Sequence, residues 1–251
     1  MVFYGDQYYM FFEVMDSEIR KPCIALAASK DGFDWKYVKV VLDEPFVLSY
    51  PYVFESAGNY YMIPETARTN TVRLYRANNF PYEWQFVKTL VEGSPFCDPS
   101  IVHFEGTWWL FVSEGNNTLR LFHAGNVLGP WLEHPKSPLI RNDASRARPG
   151  GRLLLFEHGL FRFAQNDTPY YGRQIRVFRI ATLSLTDYSE TELAESPILG
   201  ATATGWNKHG MHNIDLHRTS EKHWVACVDG YRKVRSLDLL WRFRSARKAF
   251  T

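Results

Sequence analysis

The sequence predicts an all-β fold, a five-bladed β-propeller around a central channel. Three observations predict it. Aromatic residues make up 16% of the 251 residues, and aromatic side chains favour pleated sheets. A segment of glycine and aromatic residues recurs about every 50 residues, the length of a propeller blade. Segments that alternate apolar and polar residues, the period of a strand, follow most of its copies.

The glycine–aromatic segment defines the second strand of each blade. Its first four copies begin at Gly5, Gly58, Gly106 and Gly159, which are 53, 48 and 53 residues apart. A weaker fifth copy runs over residues 221–229. Five copies predict five blades, with residues 1–230 forming a single propeller domain.

The other strands flank that segment. A third strand follows four copies, at 24–29, 72–77, 119–124 and 175–180. An outer strand then begins at an aromatic residue, Trp35, Trp84, Trp131 or Tyr188. An opening strand precedes the later copies, at 50–55, 98–104, 148–156 and 212–217. Only three residues precede Tyr4, so the first blade is expected to be incomplete at the N-terminus.

The C-terminal segment, residues 231–251, differs in composition from the rest. From Arg232 to Thr251 it has seven basic residues and a single acid, Asp238. We expect this tail to pack on the propeller or extend it. The alternative is a short amphipathic helix that touches a membrane surface or a partner domain.

Composition argues against several functional classes. The net charge of +2 is too balanced for a general nucleic-acid binder. Runs of 18 apolar residues are absent, so no membrane span is expected. No secretion signal is visible, which favours a cytoplasmic protein. The three cysteines include no CxxC pair, and no phosphate-loop or dinucleotide motif occurs, so neither a metal nor a cofactor is expected.

Polar side chains are expected to converge where the opening strands line the channel. The openers contribute Tyr50, Asp98, Arg148, His212 and Asp215. The ends of the second strands add Glu13, Glu65, Glu114, Gln165 and Asp167, with Ser113 competing for the position of Glu114. Paired carboxylates are what cleavage of a glycosidic bond needs, because one donates a proton and the other acts as base or nucleophile.

Several of these residues have structural alternatives. Asp98 precedes Pro99 and can cap a turn. Arg148 can bind an anionic group of a ligand or form an internal salt bridge. The cluster from His212 to His217 could hold a metal, which is the less favoured interpretation because three ligands on one short strand are unusual.

Several motifs resemble a known group of proteins. The Asp98-Pro99 opener, the Gly106-Thr-Trp-Trp-Leu-Phe111 strand and the Gly129-Pro-Trp131 turn resemble the five-bladed propeller glycosidases around glycoside hydrolase families 43, 32 and 62. Segments 49–55, 61–65, 129–138, 147–152 and 210–215 are more similar to the N-terminal propeller of glucosamine inositolphosphorylceramide transferases and their bacterial relatives. The resemblance covers residues 4–230.

The resemblance implies two functions that the sequence leaves open. In the glycosidases an aspartate of the first blade acts as base, and no counterpart precedes Tyr4. A hydrolase would use Glu65 and Asp98 as acid and pKa modulator and Asp215 or Glu13 as base. Saccharide contacts would come from Glu13, Tyr50, Glu114, Arg148, Gln165, Asp167 and His212.

In the transferases the transfer chemistry belongs to a separate domain, which implies a non-catalytic propeller that recognises a glycan or glycolipid. A protein-interaction propeller is a third possibility; it predicts a polar binding surface on the blade rim.

Overall fold

The structure is a computed structural model that describes residues 1–15, 21–202, 204–221 and 223–233. These ranges contain 19 β-strands and one short 3-10 turn, Ala67–Thr69, and no α-helix. Accordingly, no helix in these ranges is long and apolar enough to cross a membrane.

The first three sheets each consist of four consecutive antiparallel strands. The first contains β1 (Val2–Tyr4), β2 (Gln7–Met15), β3 (Pro22–Ser29) and β4 (Lys36–Leu42). The second contains β5 (Ser49–Ser56), β6 (Asn59–Glu65), β7 (Thr71–Asn79) and β8 (Glu83–Glu92). The third contains β9 (Phe96–Phe104), β10 (Thr107–Glu114), β11 (Thr118–Ala124) and β12 (Leu132–Glu133). Each sheet is a propeller blade.

The fourth blade has an additional strand, and the fifth sheet is smaller. The fourth contains β13 (Leu154–Phe156), β14 (Gly159–Asn166), β15 (Gln174–Leu183) and β16 (Tyr188–Glu192), with β17 (Leu199–Gly200) also paired to β15. The fifth contains β18 (Ile214–Arg218) and β19 (Trp224–Val228).

The blade count corrects the sequence prediction. An all-β propeller is confirmed, but it has four blades rather than five, because the fifth sheet has two strands in the described part of the chain. The physical reason is visible in the sequence: no alternating third strand follows the weak copy at 221–229. The opener of the first blade is short: Val2–Tyr4 pairs with β2 over three residues, whereas β5 and β9 have eight and nine. Residues 234–251 of the predicted tail lie outside the described residues.

The recurring glycines have a common cause in the turn between the first two strands of each blade. Two residues with positive φ connect these strands in every blade: Gly5-Asp6, Ala57-Gly58, Glu105-Gly106 and Glu157-His158. Two-residue hairpin turns of this kind match the right-handed twist of the strands and favour glycine. Gly159 lies just after its turn, as the first residue of β14, so the fourth copy is displaced by one residue.

Apolar clusters join successive sheets face to face. Phe11, Leu26 and Val53 belong to the cluster between the first two blades. Similar clusters join the second blade to the third and the third to the fourth. A smaller one joins Phe163, Ile175 and Val177 to Ile214 of the fifth sheet. Burying each large apolar side chain contributes about 1.5–3 kcal/mol, so the stacking of sheets stabilises the radial arrangement.

Candidate functional site

The opening strands of the blades meet at a central cavity of about 310 Å³. Every sheet contributes residues to its wall, and the third contributes only Asp98 of β9. The lining side chains that are charged, amide-bearing, histidine or tyrosine are Glu13, Tyr50, Tyr52, Asp98, Arg148, Arg152, Gln165, Tyr171, His212, Asn213, Asp215 and Asp229.

Three opening segments share a local backbone feature at the residue that faces this cavity. Tyr50, Asp98 and Arg148 each precede a proline. Tyr50 and Asp98 have positive φ angles of 45° and 49°. The pairing register shifts beside both, as expected of β-bulges. Such strained backbone persists only where surrounding contacts hold it, and it concentrates at functional sites.

Asp98 is the centre of a buried polar network. Its Oδ2 accepts hydrogen bonds from Arg148 Nε at 2.5 Å and Gln165 Nε2 at 2.5 Å. Glu65 Oε2 accepts from the backbone amide of Asp98 at 3.2 Å and from Arg148 Nη2 at 3.3 Å. Burial, together with the charge of Asp98, raises the pKa of Glu65 to about 8. Glu65 is therefore a protonated carboxyl group at neutral pH, next to the ion pair of Asp98 and Arg148.

Two neighbours complete this network. The ring of Tyr171 stacks on the guanidinium of Arg148, 5.2 Å from ring centroid to guanidinium carbon. Burial raises the pKa of the Cys97 thiol to about 12, with a further contribution from the charge of Glu65. A thiol with a raised pKa is a poor nucleophile, so Cys97 is a packing residue at this site.

Asp215 is held by two cations, Arg152 and the amino group of Met1, and by His217, whose pKa is lowered by burial. Arg152 Nε donates to its Oδ1 at 2.8 Å, His217 Nε2 lies 3.0 Å from its Oδ2, and the amino group of Met1 contacts the same oxygen. Burial alone would raise the pKa of Asp215, but these positive charges and hydrogen bonds outweigh it and hold the pKa well below its usual range. Asp215 is thus ionised and fully paired.

The wall has two further acids: Asp229 is paired with a histidine, and Glu13 has no such partner in the described part of the chain. Asp229 Oδ2 lies 2.7 Å from His212 Nδ1, and its Oδ1 accepts the backbone amides of His212 and Asn213. Burial lowers the pKa of His212, but Asp229 outweighs it, so the net shift is upward. Glu13 stands at the open side of the cavity, and partial burial and the charge of Asp98 raise its pKa.

A family model described as "Glucosamine inositolphosphorylceramide transferase 1, N-terminal" matches residues 1–231. The chain belongs to this family. The rice (Oryza sativa subsp. japonica) glucosamine inositolphosphorylceramide transferase 1 is 38% identical over 240 residues, which cover 91% of this chain and 32% of the relative. The Arabidopsis thaliana protein of the same name is 36% identical over 250 residues, covering 95% and 32%. The chain thus spans about a third of the length of these curated relatives.

Solved structures with this fold are glycoside hydrolases. A thermostable family-43 glycoside hydrolase superposes with a TM-score of 0.64 at 18% identity, covering 79% of this chain and 75% of that one. The GH32 β-fructofuranosidase BmSUC1 of Bombyx mori superposes with a TM-score of 0.63 at 13% identity, covering 94% and 55%. At these identities the likeness shows the propeller fold alone.

In this chain, seven of the ten sequence-predicted site residues line the cavity. They are Glu13, Tyr50, Asp98, Arg148, Gln165, His212 and Asp215. Glu65 lies behind the lining, bonded to Arg148 and to the Asp98 amide. Asp167 also lies behind it, where its Oδ1 accepts the Gly172 amide at 2.8 Å.

Glu114 lies outside the cavity, and the described residues offer no metal site. Glu114 accepts Arg120 Nε at 2.7 Å and Ser94 Oγ at 2.9 Å and does not line the cavity. Within the described ranges, no three His, Cys, Asp or Glu side chains are grouped to hold a metal ion.

Of the lining residues named above, sequence reasoning missed five: Tyr52, Arg152, Tyr171, Asn213 and Asp229. Arg152 follows Gly150-Gly151 in an opening segment, and this pair of glycines could have marked the arginine as a lining residue. Tyr171 lies in the connection between β14 and β15 and had no repeat counterpart to mark it. Asn213 and Asp229 flank the last hairpin, so only the tertiary arrangement of that hairpin brings them to the cavity.

Proposed function

We propose that this chain is a carbohydrate-recognition propeller that binds a saccharide or a glycoconjugate headgroup in its central cavity, without cleaving it. The transfer chemistry of the relatives would then lie in the parts of those proteins that this chain does not span. The volume of about 310 Å³ suits a small polar ligand.

The observation that supports recognition over hydrolysis is the pairing of the aspartates. Asp98 is bonded to Arg148, and Asp215 to Arg152. A glycosidase needs a carboxylate that is free to activate water or attack the sugar. Both aspartates predicted for catalysis already hold cations, so they act as fixed members of a polar wall. Glu13, the alternative predicted base, is unpaired among the described residues, so a hydrolase would have to rely on it.

The remaining wall suits a sugar ring. Tyr171 presents an aromatic face, with 49% of the residue exposed, and its edge meets His212 at 5.1 Å between ring centroids. Aromatic rings supply flat apolar area on which a sugar ring can lie, while neighbouring polar groups bond its hydroxyls. Tyr171 is therefore the proposed stacking platform.

Hydrolysis is the second candidate, and one observation favours it. Glu65, with a pKa of about 8, is a protonated carboxyl group beside ionised Asp98, which is the division of states that an acid and its partner require. In this case turnover of a glycoside would depend on Glu65.

The stacking platform provides the test of the proposed function. The Tyr171→Ala variant should bind saccharides about five- to thirtyfold more weakly, because it loses roughly 1–2 kcal/mol of ring contact. Binding of a panel of monosaccharides and myo-inositol to the full chain is measured by isothermal titration calorimetry and saturation-transfer NMR.

The neighbouring tyrosine is the matched control. Tyr170 is similarly exposed but lines a separate surface depression with Arg173, so Tyr170→Ala should bind like the wild type. Absence of binding to every compound of the panel, or equal loss in both variants, would contradict the proposal. Release of reducing sugar from glycosides that disappears in Glu65→Gln would establish hydrolysis instead.

A further inference from the structure

Among the residues that the structure describes, one acid of the cavity wall has neither a hydrogen-bond nor an ion-pair partner. Asp98, Asp215 and Asp229 pair with Arg148, Arg152 and His212, respectively. Among the described residues, Glu13 is the lining acid that makes neither a hydrogen bond nor an ion pair, and its side chain is exposed at the open side. A ligand that enters the cavity therefore meets an uncompensated carboxylate.

A second acceptor without a partner lies deeper. Gln165 is only 1% exposed. Its Nε2 donates to Asp98 Oδ2 at 2.5 Å and to Pro149 O at 2.8 Å. Both partners are acceptors only, which fixes the orientation of the amide. Its Oε1 is buried and has no hydrogen-bond partner, and a buried acceptor left in this state costs free energy that a ligand donor would recover.

Asn213 adds a third acceptor. Its Oδ1 is buried, has no partner, and belongs to a residue that lines the same cavity. Glu13, Gln165 and Asn213 come from the first blade, the fourth blade and the fifth sheet, so acceptors surround the cavity rather than cluster on one side.

The cationic groups of the wall are already engaged. Arg148 donates to Asp98 and Glu65. Arg152 donates to Asp215 and to the carbonyl of Val53. The imidazole of His212 faces Asp229. An anionic group in the cavity would compete with these pairs and would lie near Glu13, which is unfavourable because like charges repel.

On the basis of the saccharide-binding function above, we propose that Glu13, Gln165 and Asn213 form an acceptor subsite that admits a neutral or cationic polyhydroxylated ring and excludes anionic groups. Glu13 is the specificity-determining residue. Hydroxyl or ammonium donors of the ring bond to the three acceptors, and any phosphate or carboxylate of the glycoconjugate stays outside the cavity.

Ligands that share a ring and differ in charge test this subsite. The full chain is titrated by calorimetry at neutral pH and low ionic strength with glucose, glucosamine and glucuronate, which are neutral, cationic and anionic. Wild type should bind glucuronate at least about tenfold more weakly than the other two. Glu13→Gln should reduce this difference at least about fivefold, because the amide keeps an acceptor without the charge.

The exposed Glu83→Gln substitution at the start of β8 is the control and should leave the discrimination unchanged. Glucuronate or inorganic phosphate that binds as tightly as glucose and displaces it would overturn the acceptor subsite while leaving saccharide binding intact. Unchanged discrimination in Glu13→Gln would also overturn it. If no sugar of the three binds the wild type, both this inference and the proposed function fail.

Discussion

Residues that precede proline supply the central side chains of the cavity, and Asp98 is the clearest case. It combines positive φ, near-complete burial and hydrogen bonds to Arg148 and Gln165. Its charge, added to burial, keeps the neighbouring Glu65 protonated at neutral pH. Arg148 lies closer to Asp98 than to Glu65, so it offsets little of the effect of burial on Glu65.

The raised pKa of Glu65 predicts a pH-dependent stability. Between the ordinary glutamate pKa of 4.5 and about 8, the folded state binds more protons at this site than the unfolded state. The free energy of unfolding therefore falls as pH rises through this window. Glu65→Gln should remove that fall. Between the acidic and the basic end of this pH window, the free energy of unfolding of the variant should therefore rise by roughly 2–4 kcal/mol relative to that of the wild type. Urea denaturation across the window measures it.

Glu114→Gln is the control for this pH profile. Hydrogen bonds from Arg120 and Ser94 lower the pKa of Glu114, so its contribution is present above the unfolded pKa and lost as pH falls. This variant should lose a small amount of stability at neutral pH and none at strongly acidic pH. Parallel stability curves for Glu65→Gln and wild type would show that Glu65 is ionised in the folded protein.

At the scale of elements, a close approach of two backbones connects the fourth-blade opener to the last hairpin. Gly151 forms a parallel bridge with Ile214 at the start of β18, and the amide of Ile214 donates to the carbonyl of Gly150 at 2.9 Å. A Cβ atom at position 151 would lie 1.8 Å from the carbonyl oxygen of Ile214. Glycine is required here because the two backbones touch.

Gly151→Ala should therefore destabilise the protein by at least about 3 kcal/mol, since either the bridge or the hairpin must shift. Equilibrium unfolding in guanidinium measures the change. Gly125→Ala is the matched substitution, because a Cβ there meets nothing within 4 Å, and it should change stability by less than about 1 kcal/mol. Equal midpoints for the two variants would refute the close approach.

At the scale of the whole molecule, the cavity depends on contacts between sheets that are distant in the chain. Arg152 illustrates this. It donates to Asp215 of the fifth sheet and to the carbonyl of Val53 in the second blade, and its guanidinium lies 4.5 Å from the ring centroid of Tyr52. One side chain therefore links the fourth-blade opener to two other sheets across the channel.

Arg152→Met should lower the free energy of unfolding by about 3 kcal/mol, because it leaves a buried carboxylate without its main partner. It should also weaken saccharide binding, since the wall loses its arrangement. Denaturant unfolding and calorimetry on the same preparations measure both.

The comparison for Arg152 is an arginine whose ion pairs stay within one blade. Arg120 pairs with Glu114 and Glu133 of the third blade, all partly exposed, so Arg120→Met should cost less than about 1 kcal/mol. A loss for Arg152→Met no larger than that for Arg120→Met would show that the links between sheets do not stabilise the cavity.

Local patterns in the sequence determined the blades. The period of two and the glycine turns depend on residues close in the chain, so the second strands beginning near Gly5, Gly58 and Gly106 were predictable, and so was the group of openers at Tyr50, Asp98 and Arg148. The blade count was overestimated because the copy at 221–229 resembles a second strand, although the fifth sheet has only β18 and β19 in the described part of the chain. Only the tertiary structure decided which acids are free, because the pairing of Asp215 with Arg152 and the solitary state of Glu13 arise from distances between sheets that no spacing along the chain encodes.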